Sequence, residues 1–415
     1  MLSVKRIRAI FGDPALALSV LGLTAFGIAM IYSAGQLEVP RPGVAGAWRA
    51  QITWFVLSLV GLAVVMRIQV RWLEWVALPA YLIAVAALVA TLVVGTGQGT
   101  AEGTKSWLRL GPMMVQPSQF ANLATVLLLG RVMGSWREPP RSVLGLWKPI
   151  LIVAIPMGLV FKQPDLGTAM VFGGLMVATL YWAGTPLGIL FLLLSPVIGL
   201  FTAIAPWVFS LYMVGLGAFL YFYRARLWEA VFVLGLNLAA GTIAAPLWHS
   251  LNEFQQNRLL VFLDPTKDPR GAGYNVRQSR VAIGSGGITG RGYLKGSQKR
   301  LAFLPEQHTD FIFAVIGEEM GFLRGSFIVI AAYGIILWRL IKLAERLPDP
   351  FAGIVVFGIF GTWFTHIMVN IGMTVGIMPV TGIPLPFLSY GGSFLLATYL
   401  ALGVAQRVAS EQGRI

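Results

Sequence analysis

Long apolar runs recur along the whole chain, and they constrain its fold more than any other feature. An α-helix needs about 20 apolar residues to cross the hydrocarbon core of a bilayer. Of the 415 residues, 57% are hydrophobic and 12% are charged, whereas soluble domains carry about 25% charged residues. A protein core cannot bury this much apolar surface, so lipid must cover part of it. The sequence therefore predicts an all-α polytopic membrane protein.

We predict about twelve transmembrane helices and one long loop. The predicted spans are residues 14–33, 51–68, 74–95, 117–134, 148–162, 166–183, 186–206, 209–223, 227–247, 311–337, 351–374 and 386–407. The loop at 248–310 is too long for a simple connector. Its regularly spaced apolar residues predict an ordered segment packed on the membrane face. Its many glycines could let the backbone approach a ligand closely, or they could form ordinary turns.

The Lys and Arg residues orient these spans. With the N-terminus in the cytoplasm, 16 of the 31 basic residues lie on the cytoplasmic side and 15 on the other. Nine of those 15 lie in the long loop, and long loops are weak orientation signals. The asymmetry predicts that both termini are cytoplasmic and that residues 248–310 lie outside. The net charge of +14 then reflects topology, and we expect no nucleic-acid partner.

Four stretches fall on the outward side of the predicted membrane. They read "SWLRLGPMMVQPSQF", "KQPDLGTAMV", "DPRGAGYNVRQSRVAIGSGGITGRGYLKGSQKRLAFLPEQHTDFIFAVIGEE" and "VNIGMTVGIMPVTGIPLPFLSYGGS". Together they resemble the SEDS family (shape, elongation, division and sporulation), which includes RodA, FtsW and SpoVE. The text "GSQKRLAFLPEQHTDF" is most similar to the RodA branch. The resemblance covers the chain from the first span to the last. It implies one SEDS membrane domain over 1–415 with the family's ten spans, an extra transmembrane hairpin at 209–247 and a large extracytoplasmic loop at 248–310.

The resemblance also implies an activity. SEDS proteins are peptidoglycan glycosyltransferases of the bacterial cytoplasmic membrane. They polymerise lipid II into glycan strands outside that membrane, and the RodA branch serves cell elongation and rod shape. Their partners are a class B penicillin-binding protein and other elongation-complex proteins. Two alternatives stay open: a flippase for lipid-linked precursors, because polar residues within a membrane also mark transport paths, and an inactive scaffold of the wall-synthesis complex.

The chemistry of such a transfer predicts which residue types form the site. A sugar hydroxyl needs a base, the pyrophosphate leaving group needs positive charge, and the polyprenyl tail needs an apolar groove. Because the donor is already activated, no cofactor is required, although a divalent cation such as Mg or Mn is possible and its ligands are unknown. The candidate substrate-binding residues are Lys105, Trp107, Arg109, Gln116, Ser118, Arg258, Glu306, His308, Thr309, Asp310, Asn370, Thr381, Ser389 and Ser393.

Asp268 is the candidate catalytic residue. The family's essential Asp lies in an element that reads "DPRGAGY" here, beginning at Asp268. By its position alone, Asp-Pro is also an ordinary turn signal, so this role comes from the resemblance. Asp264, which also precedes a proline, does not match the family element. Asp268 could accept the proton of the attacking hydroxyl or hold a divalent cation against the pyrophosphate.

Two further features of the sequence raise structural questions. Where the family has Arg, Glu and Lys, this chain has Ser106, Gln119 and Asn122, so a charged pair on one helix face has been lost as a unit. Near the tenth span, Glu318 and Glu319 need protein or water around them, with a basic or hydroxyl partner. Two alternative roles are open. The acids could lie at a helix start, where the helix dipole favours negative charge, or they could form a buried pair with Arg324.

Overall fold

The computed structural model describes residues 12–39, 43–97, 105–111, 113–251, 256, 260–262, 272–301 and 303–412. Within these residues the chain is helical apart from one short β-hairpin and the connecting loops. The helices are α1 (Pro14–Ala34), α2 (Ala47–Val65), α3 (Val70–Val94), α4 (Pro117–Gly134), α5 (Trp147–Lys162), α6 (Leu166–Trp182), α7 (Leu187–Thr202), α8 (Pro206–Phe222), α9 (Leu227–Ser250), α10 (Ala272–Gly286), α11 (Ser297–Arg300), α12 (Ile312–Gly321), α13 (Phe327–Glu345), α14 (Pro350–Val375) and α15 (Gly392–Gln412). Strands β1 (Leu108–Leu110) and β2 (Met113–Val115) pair antiparallel.

The predicted polytopic all-α fold is confirmed. Eight helical runs among the described residues are long and apolar enough to cross a membrane. They are α1, α2, α3, α5 with the turn before it, α9, the continuous run from α12 to α13, α14 and α15. Helices α6, α7 and α8 are shorter but also apolar. Helix α4 occupies the remaining predicted span, and most of its residues are buried.

Local sequence signals fix where several of these helices begin. The Asp13 carboxylate accepts hydrogen bonds from the Ala15 and Leu16 amides, both at 3.1 Å, and Pro14 follows it. Asp349 caps α14 in the same way ahead of Pro350. An acceptor side chain satisfies the free amides of a first turn, and proline there has no amide to satisfy. Such caps let apolar helices start at a defined level of the membrane.

The centre of the bundle is formed by α14 and α15. In their most apolar stretches, 72% and 78% of the residues are buried in the protein, against 11% for α2 and α9. Helix α14 packs on α4 and α6, and α15 packs on α2. Helix α9 contacts α7 and α8 at the edge of the bundle. The two C-terminal helices therefore provide the frame on which the polar residues are placed.

The last span begins later than predicted. Residues 386–391 precede α15 as a loop, and Phe387 has a φ of +66° there. Ser389 Oγ accepts a hydrogen bond from the Leu385 amide at 2.9 Å, which fixes this loop instead of a helical turn. Proline at 386 and glycines at 391 and 392 also disfavour a helix in this segment. The displaced residues belong to a motif that lies in the candidate site.

Two glycines of the long loop, Gly286 and Gly290, pack against the backbone of α12. Gly286 lies so close to α12 that a Cβ atom would approach the Gly317 carbonyl oxygen to 1.9 Å. At Gly290, where φ is +82°, a Cβ would lie 2.2 Å from the Glu319 carbonyl oxygen. Only glycine permits both the approach and this φ. Gly286 and Gly290 therefore seat α10 and the following turn on α12, so their close approach is to protein backbone.

Candidate functional site

Two motifs that are far apart in sequence meet at the start of α15. Asn370 on α14 donates from Nδ2 to the carbonyl oxygens of Asp310 at 2.9 Å and Ile383 at 2.7 Å. Ser389 Oγ donates to the Thr309 carbonyl at 2.6 Å, and the Tyr390 amide donates to the His308 carbonyl at 2.9 Å. The segments "PEQHTD" and "LPFLSYGG" are thus joined through side-chain and backbone bonds. We call residues 304–311 together with 383–391 the junction.

Two ionisable side chains of the junction, His308 and Glu306, have surroundings that are fixed by neighbouring residues. The His308 ring is 9% exposed and lies 5.3 Å from the Tyr390 ring, centroid to centroid. Burial lowers the pKa of His308, and the nearby Glu306 carboxylate partly opposes this shift. Glu306 has a φ of +49°, and non-glycine residues with positive φ cluster at functional sites. Thr309 Oγ1 donates to Glu306 Oε2 at 3.3 Å, so the carboxylate is oriented within the junction.

A second polar cluster lies beside the junction, where α4, α6 and α15 begin. The Gln116 amide donates to Ser393 Oγ at 3.2 Å, and Gln116 Nε2 donates to Asp165 Oδ2 at 3.0 Å. Gln119 Nε2 donates to Gln116 Oε1 at 3.2 Å. Asp165 also accepts from the Thr168 amide at 3.0 Å and so caps the start of α6. Three of the four outward motifs are linked by these bonds.

The remaining predicted substrate residues are not among those joined by the hydrogen bonds described above. Trp107 is half-buried and pairs by its backbone with Thr96, while Lys105 and Arg109 beside it are exposed. Ser118 is fully buried, and its hydroxyl has no partner among the described residues. Thr381 is 3% exposed and lies 3.9 Å from the Met373 sulfur. Arg258 and the candidate base Asp268 lie outside the described residues, as does Asp264.

Glu319 pairs with Lys299, and Glu318 lies beside this pair. All three side chains are at most 1% exposed, and Lys299 Nζ forms an ion pair with Glu319. Ser33 Oγ on α1 donates to Glu319 Oε2 at 2.7 Å. The expected basic or hydroxyl partner is therefore confirmed, with one of each kind. The alternative pair with Arg324 is wrong, because that side chain is exposed to the outside of the bundle.

Glu318 has a different role from Glu319. Its Oε1 accepts from the Gln298 amide at 2.8 Å and its Oε2 from the Lys299 amide at 3.3 Å, at the first turn of α11. Acceptors are favourable at that end of a helix. The acid therefore stabilises the start of a neighbouring helix and not the start of its own. The sequence did not identify Lys299 as the partner of these acids, because the position of a lysine in a loop has no periodic relation to them.

These buried groups attach the end of the long loop to α1. Lys299 Nζ donates to the Ser33 carbonyl at 2.9 Å, and Gln307 Nε2 donates to the Ala34 carbonyl at 2.8 Å. Burial lowers the pKa of the Lys299 ammonium, and the hydrogen bond and charge of Glu319 oppose that shift. We call Ser33, Lys299, Glu318 and Glu319 the loop anchor. The anchor and the junction lie at the two ends of residues 299–310, so that segment is held on both sides.

The positions that lost the family's charged pair face a small cavity. Gln119 and Asn122 are 4% and 3% exposed and line a cavity of about 30 Å³ between α4, α14 and α15. His366 also lines it, and both amide atoms of Asn122 and the His366 Nε2 have no partner among the described residues. The polar face predicted for these positions is therefore buried in the bundle.

This burial predicts the outcome of restoring the charges. Gln119→Glu alone should lower the free energy of unfolding by about 2 kcal/mol, because it buries a carboxylate without a cation. Gln119→Glu with Asn122→Lys should recover most of that loss, since the ammonium lies one helical turn away on the same face. Thermal unfolding in detergent measures both. Equal stabilities of the single and double variants would mean that the cavity is filled with water.

The described residues contain no group of three or more His, Asp or Glu side chains that could hold a metal ion. Asp268 is not among the residues searched. A divalent cation at that carboxylate therefore stays a prediction.

Comparison with known proteins places the chain in a family. Residues 14–216 and 207–414 match the family model of the FtsW, RodA and SpoVE cell cycle proteins. The chain is 33% identical to the peptidoglycan glycosyltransferase MrdB of Escherichia coli K12, over 96% of this chain and 94% of that protein. It is 33% identical to RodA of Treponema pallidum, over 98% and 100% of the two chains. It is 32% identical to a probable FtsW of Trichlorobacter lovleyi, over 96% and 93%.

Solved structures agree with this assignment. A chain of a peptidoglycan synthase complex matches with a TM-score of 0.69 and 27% identity, over 97% of this chain and 98% of that one. The crystal structure of the Thermus thermophilus rod shape determining protein RodA matches with a TM-score of 0.62 and 26% identity, over 97% of each chain. The chain therefore belongs to the FtsW, RodA and SpoVE family of cell cycle proteins, the SEDS family.

Proposed function

We propose that this protein is a peptidoglycan glycosyltransferase that polymerises lipid II into glycan strands for cell elongation and rod shape. The observation that carries the proposal is the match to named peptidoglycan glycosyltransferases of both the RodA and FtsW branches over more than nine-tenths of the chain. Those branches match at nearly the same identity. The elongation role rests on the RodA-like text around residues 296–311.

The arrangement of the junction supports the proposal that the acceptor or the donor of the transfer binds on this face of the bundle. It orients the Glu306 carboxylate, and burial lowers the pKa of the His308 ring. The second polar cluster adds Gln116 and Ser393, which carry hydrogen-bonding groups suited to a sugar. Lys105 and Arg109 are the exposed cations next to Trp107, and they could meet a pyrophosphate. In this proposal Asp268 enters from the loop as the base.

We propose that this face lies outside the cytoplasm. The whole chain, 1–415, then forms one membrane domain with both termini inside, and residues 209–247 form an additional transmembrane hairpin at the edge of the bundle. The loop at 248–310 covers the outer face. A class B penicillin-binding protein is the proposed partner, because one structural relative is a chain of a synthase complex that coordinates polymerization and crosslinking. Other elongation proteins would join the same assembly.

The orientation predicts the behaviour of reporter fusions. A reporter that works only outside the cytoplasm should be active after Lys295 and inactive after Arg141 or Arg224. The reason is the excess of Lys and Arg on the proposed inner side, where the positive-inside rule places them. Reporter activity at Arg141 would reverse the orientation and put the junction on the cytoplasmic side.

Purified protein in detergent with labelled lipid II tests the activity itself. Polymer on a gel is the expected product, both alone and with a class B penicillin-binding protein. Parallel reactions with EDTA and with added Mg or Mn test the divalent cation. Transbilayer movement of lipid II in vesicles without polymer would indicate a flippase. Failure of both assays, with normal binding to the partner, would indicate a scaffold.

A further inference from the structure

A basic cleft opens at the end of the bundle where α1 begins and where α13 and α15 end. Arg339, Lys342 and Arg346 line it from the last turns of α13, and Asp13 and Gln412 line it from α1 and α15. We call this site the basic cleft. Ser33 of the loop anchor lies at the other end of α1, and Glu318 and Glu319 lie near the other end of the continuous run from α12 to α13. The site is therefore separate from the proposed active face.

The walls of the basic cleft are fixed by hydrogen bonds. Arg339 Nε donates to Asp13 Oδ2 at 2.9 Å, and a second guanidinium nitrogen contacts the same oxygen. Gln406 of α15 donates from Nε2 to the Asp13 carbonyl at 2.9 Å. Gln412 Nε2 donates to the Arg346 carbonyl. Three helices are tied together around the cleft, so its cations are presented on a rigid frame.

The charge of the lining is positive after the ion pairs are counted. Among the described residues that line the cleft, Asp13 is the one carboxylate, and its oxygens already accept from two amides and from Arg339. Lys342 pairs with Glu345 at 2.7 Å, but both side chains are more than 40% exposed, and such pairs contribute little. Arg346 is exposed at the rim. Lys342 and Arg346 can therefore turn toward an anion.

Exposed apolar side chains lie on α1 and α13 near the helix ends that form the cleft. Leu18 is 68% exposed and Trp338 is 53% exposed, and the Arg339 guanidinium lies 5.8 Å from the Trp338 ring centroid. At a rise of 1.5 Å per residue, Leu18 and Trp338 each lie within about 10 Å, along the helix axis, of the helix end that borders the cleft. Tryptophan is enriched at the membrane–water interface. The cations are thus at headgroup level, with lipid-facing surface below them.

We propose that the basic cleft binds the phosphate of an anionic phospholipid headgroup, with the acyl chains lying against α1 and α13. Arg and Lys form charge-assisted hydrogen bonds with phosphate, and basic clefts between transmembrane helices suit anionic headgroups. Free phosphate shares the same chemistry. The adjoining apolar surface favours a ligand that carries both a phosphate and hydrocarbon chains.

The test uses the purified full-length protein in nanodiscs of dioleoylphosphatidylcholine with a trace of spin-labelled phosphatidylglycerol. The fraction of immobilised label reports association with the protein. Lys342→Gln with Arg346→Gln should weaken it about 25-fold, since each cation near an anionic lipid contributes about fivefold. Arg339 is left unchanged because it holds Asp13. The matched control is Arg137→Gln with Arg141→Gln, which removes two exposed cations from the loop between α4 and α5.

Each outcome decides the proposal. Selective loss in the cleft variant, with retained binding in Lys342→Arg with Arg346→Lys, supports it. Equal loss in the cleft and control variants would mean diffuse attraction to basic loops and would overturn it. Displacement of the labelled lipid by excess inorganic phosphate at constant ionic strength would identify a free-phosphate site instead. Label that does not distinguish phosphatidylglycerol from phosphatidylcholine would show that the cations only stabilise helix ends.

Discussion

Replacing Lys299 by Met is expected to lower the free energy of unfolding by about 3–5 kcal/mol, because it leaves a buried carboxylate without its cation. Lys299 and Glu319 are 1% and 0% exposed, so water cannot take over the lost interaction. The change also removes the hydrogen bond from Nζ to the Ser33 carbonyl at 2.9 Å. Equilibrium unfolding in detergent, followed by tryptophan fluorescence, measures the loss.

The neighbouring residue provides the matched control. Arg300 pairs with Glu38 at 2.9 Å, but these side chains are 51% and 48% exposed. Exposed pairs contribute about 0–1 kcal/mol, so Arg300→Met should change stability by no more than that. Lys299→Met with Glu319→Gln should be more stable than Lys299→Met alone, since no charge is then left buried. Similar small losses for Lys299→Met and Arg300→Met would show that water reaches the loop anchor.

The loop anchor is also expected to affect activity. It joins the loop to α1 through Ser33, while the junction joins the same segment to α14 through Asn370. Loss of either attachment should reduce polymerisation even where the protein still folds, because positioned groups contribute to rate only when they are held in place. The two attachments explain why four acids cluster between residues 306 and 319. Glu318 and Glu319 hold the segment, and Glu306 and Asp310 lie in the segment that is held.

The positions of the helices were largely predictable, because a span must be long and apolar whatever it packs against. The predicted span 117–134 coincides with α4, and 227–247 lies within α9 (Leu227–Ser250). Errors arose where side-chain hydrogen bonds compete with helix formation. The segment before α15 is apolar enough to continue the span, yet Ser389 bonds to the Leu385 amide and keeps it out of a helix.

The partners of the polar residues were less predictable. Hydrophobic periodicity places residues on a face, but it says nothing about contacts between elements separated by hundreds of residues, such as Ser33 with Glu319. Asn370 and Ser389 were predicted to bind substrate, and that role stays a prediction. Their described bonds go to backbone carbonyls of the junction, so they at least hold its shape. Family resemblance proposed these residues as a site, and the structure supplies a physical reason for their presence there.

Asp268→Asn is expected to reduce lipid II polymerisation by about 10²–10⁴-fold, because a positioned base typically contributes that much. The carboxylate lies four residues before α10, outside the described residues, and α10 is seated on α12 by Gly286. Asn keeps the shape of Asp but has neither its negative charge nor its basicity. The protein should still fold and bind its penicillin-binding partner, and the rate of polymer formation from labelled lipid II measures the effect.

Asp264→Asn is the control, because it changes an Asp-Pro step four residues earlier in the same loop and lies outside the family element. It should retain much of the parental rate. If Asp264→Asn abolishes polymerisation while Asp268→Asn does not, the base is Asp264 and not Asp268. If both variants keep full activity, the base lies elsewhere. Glu306 and Asp310 would then be the next carboxylates to test, since both belong to the junction and Thr309 already orients the first of them.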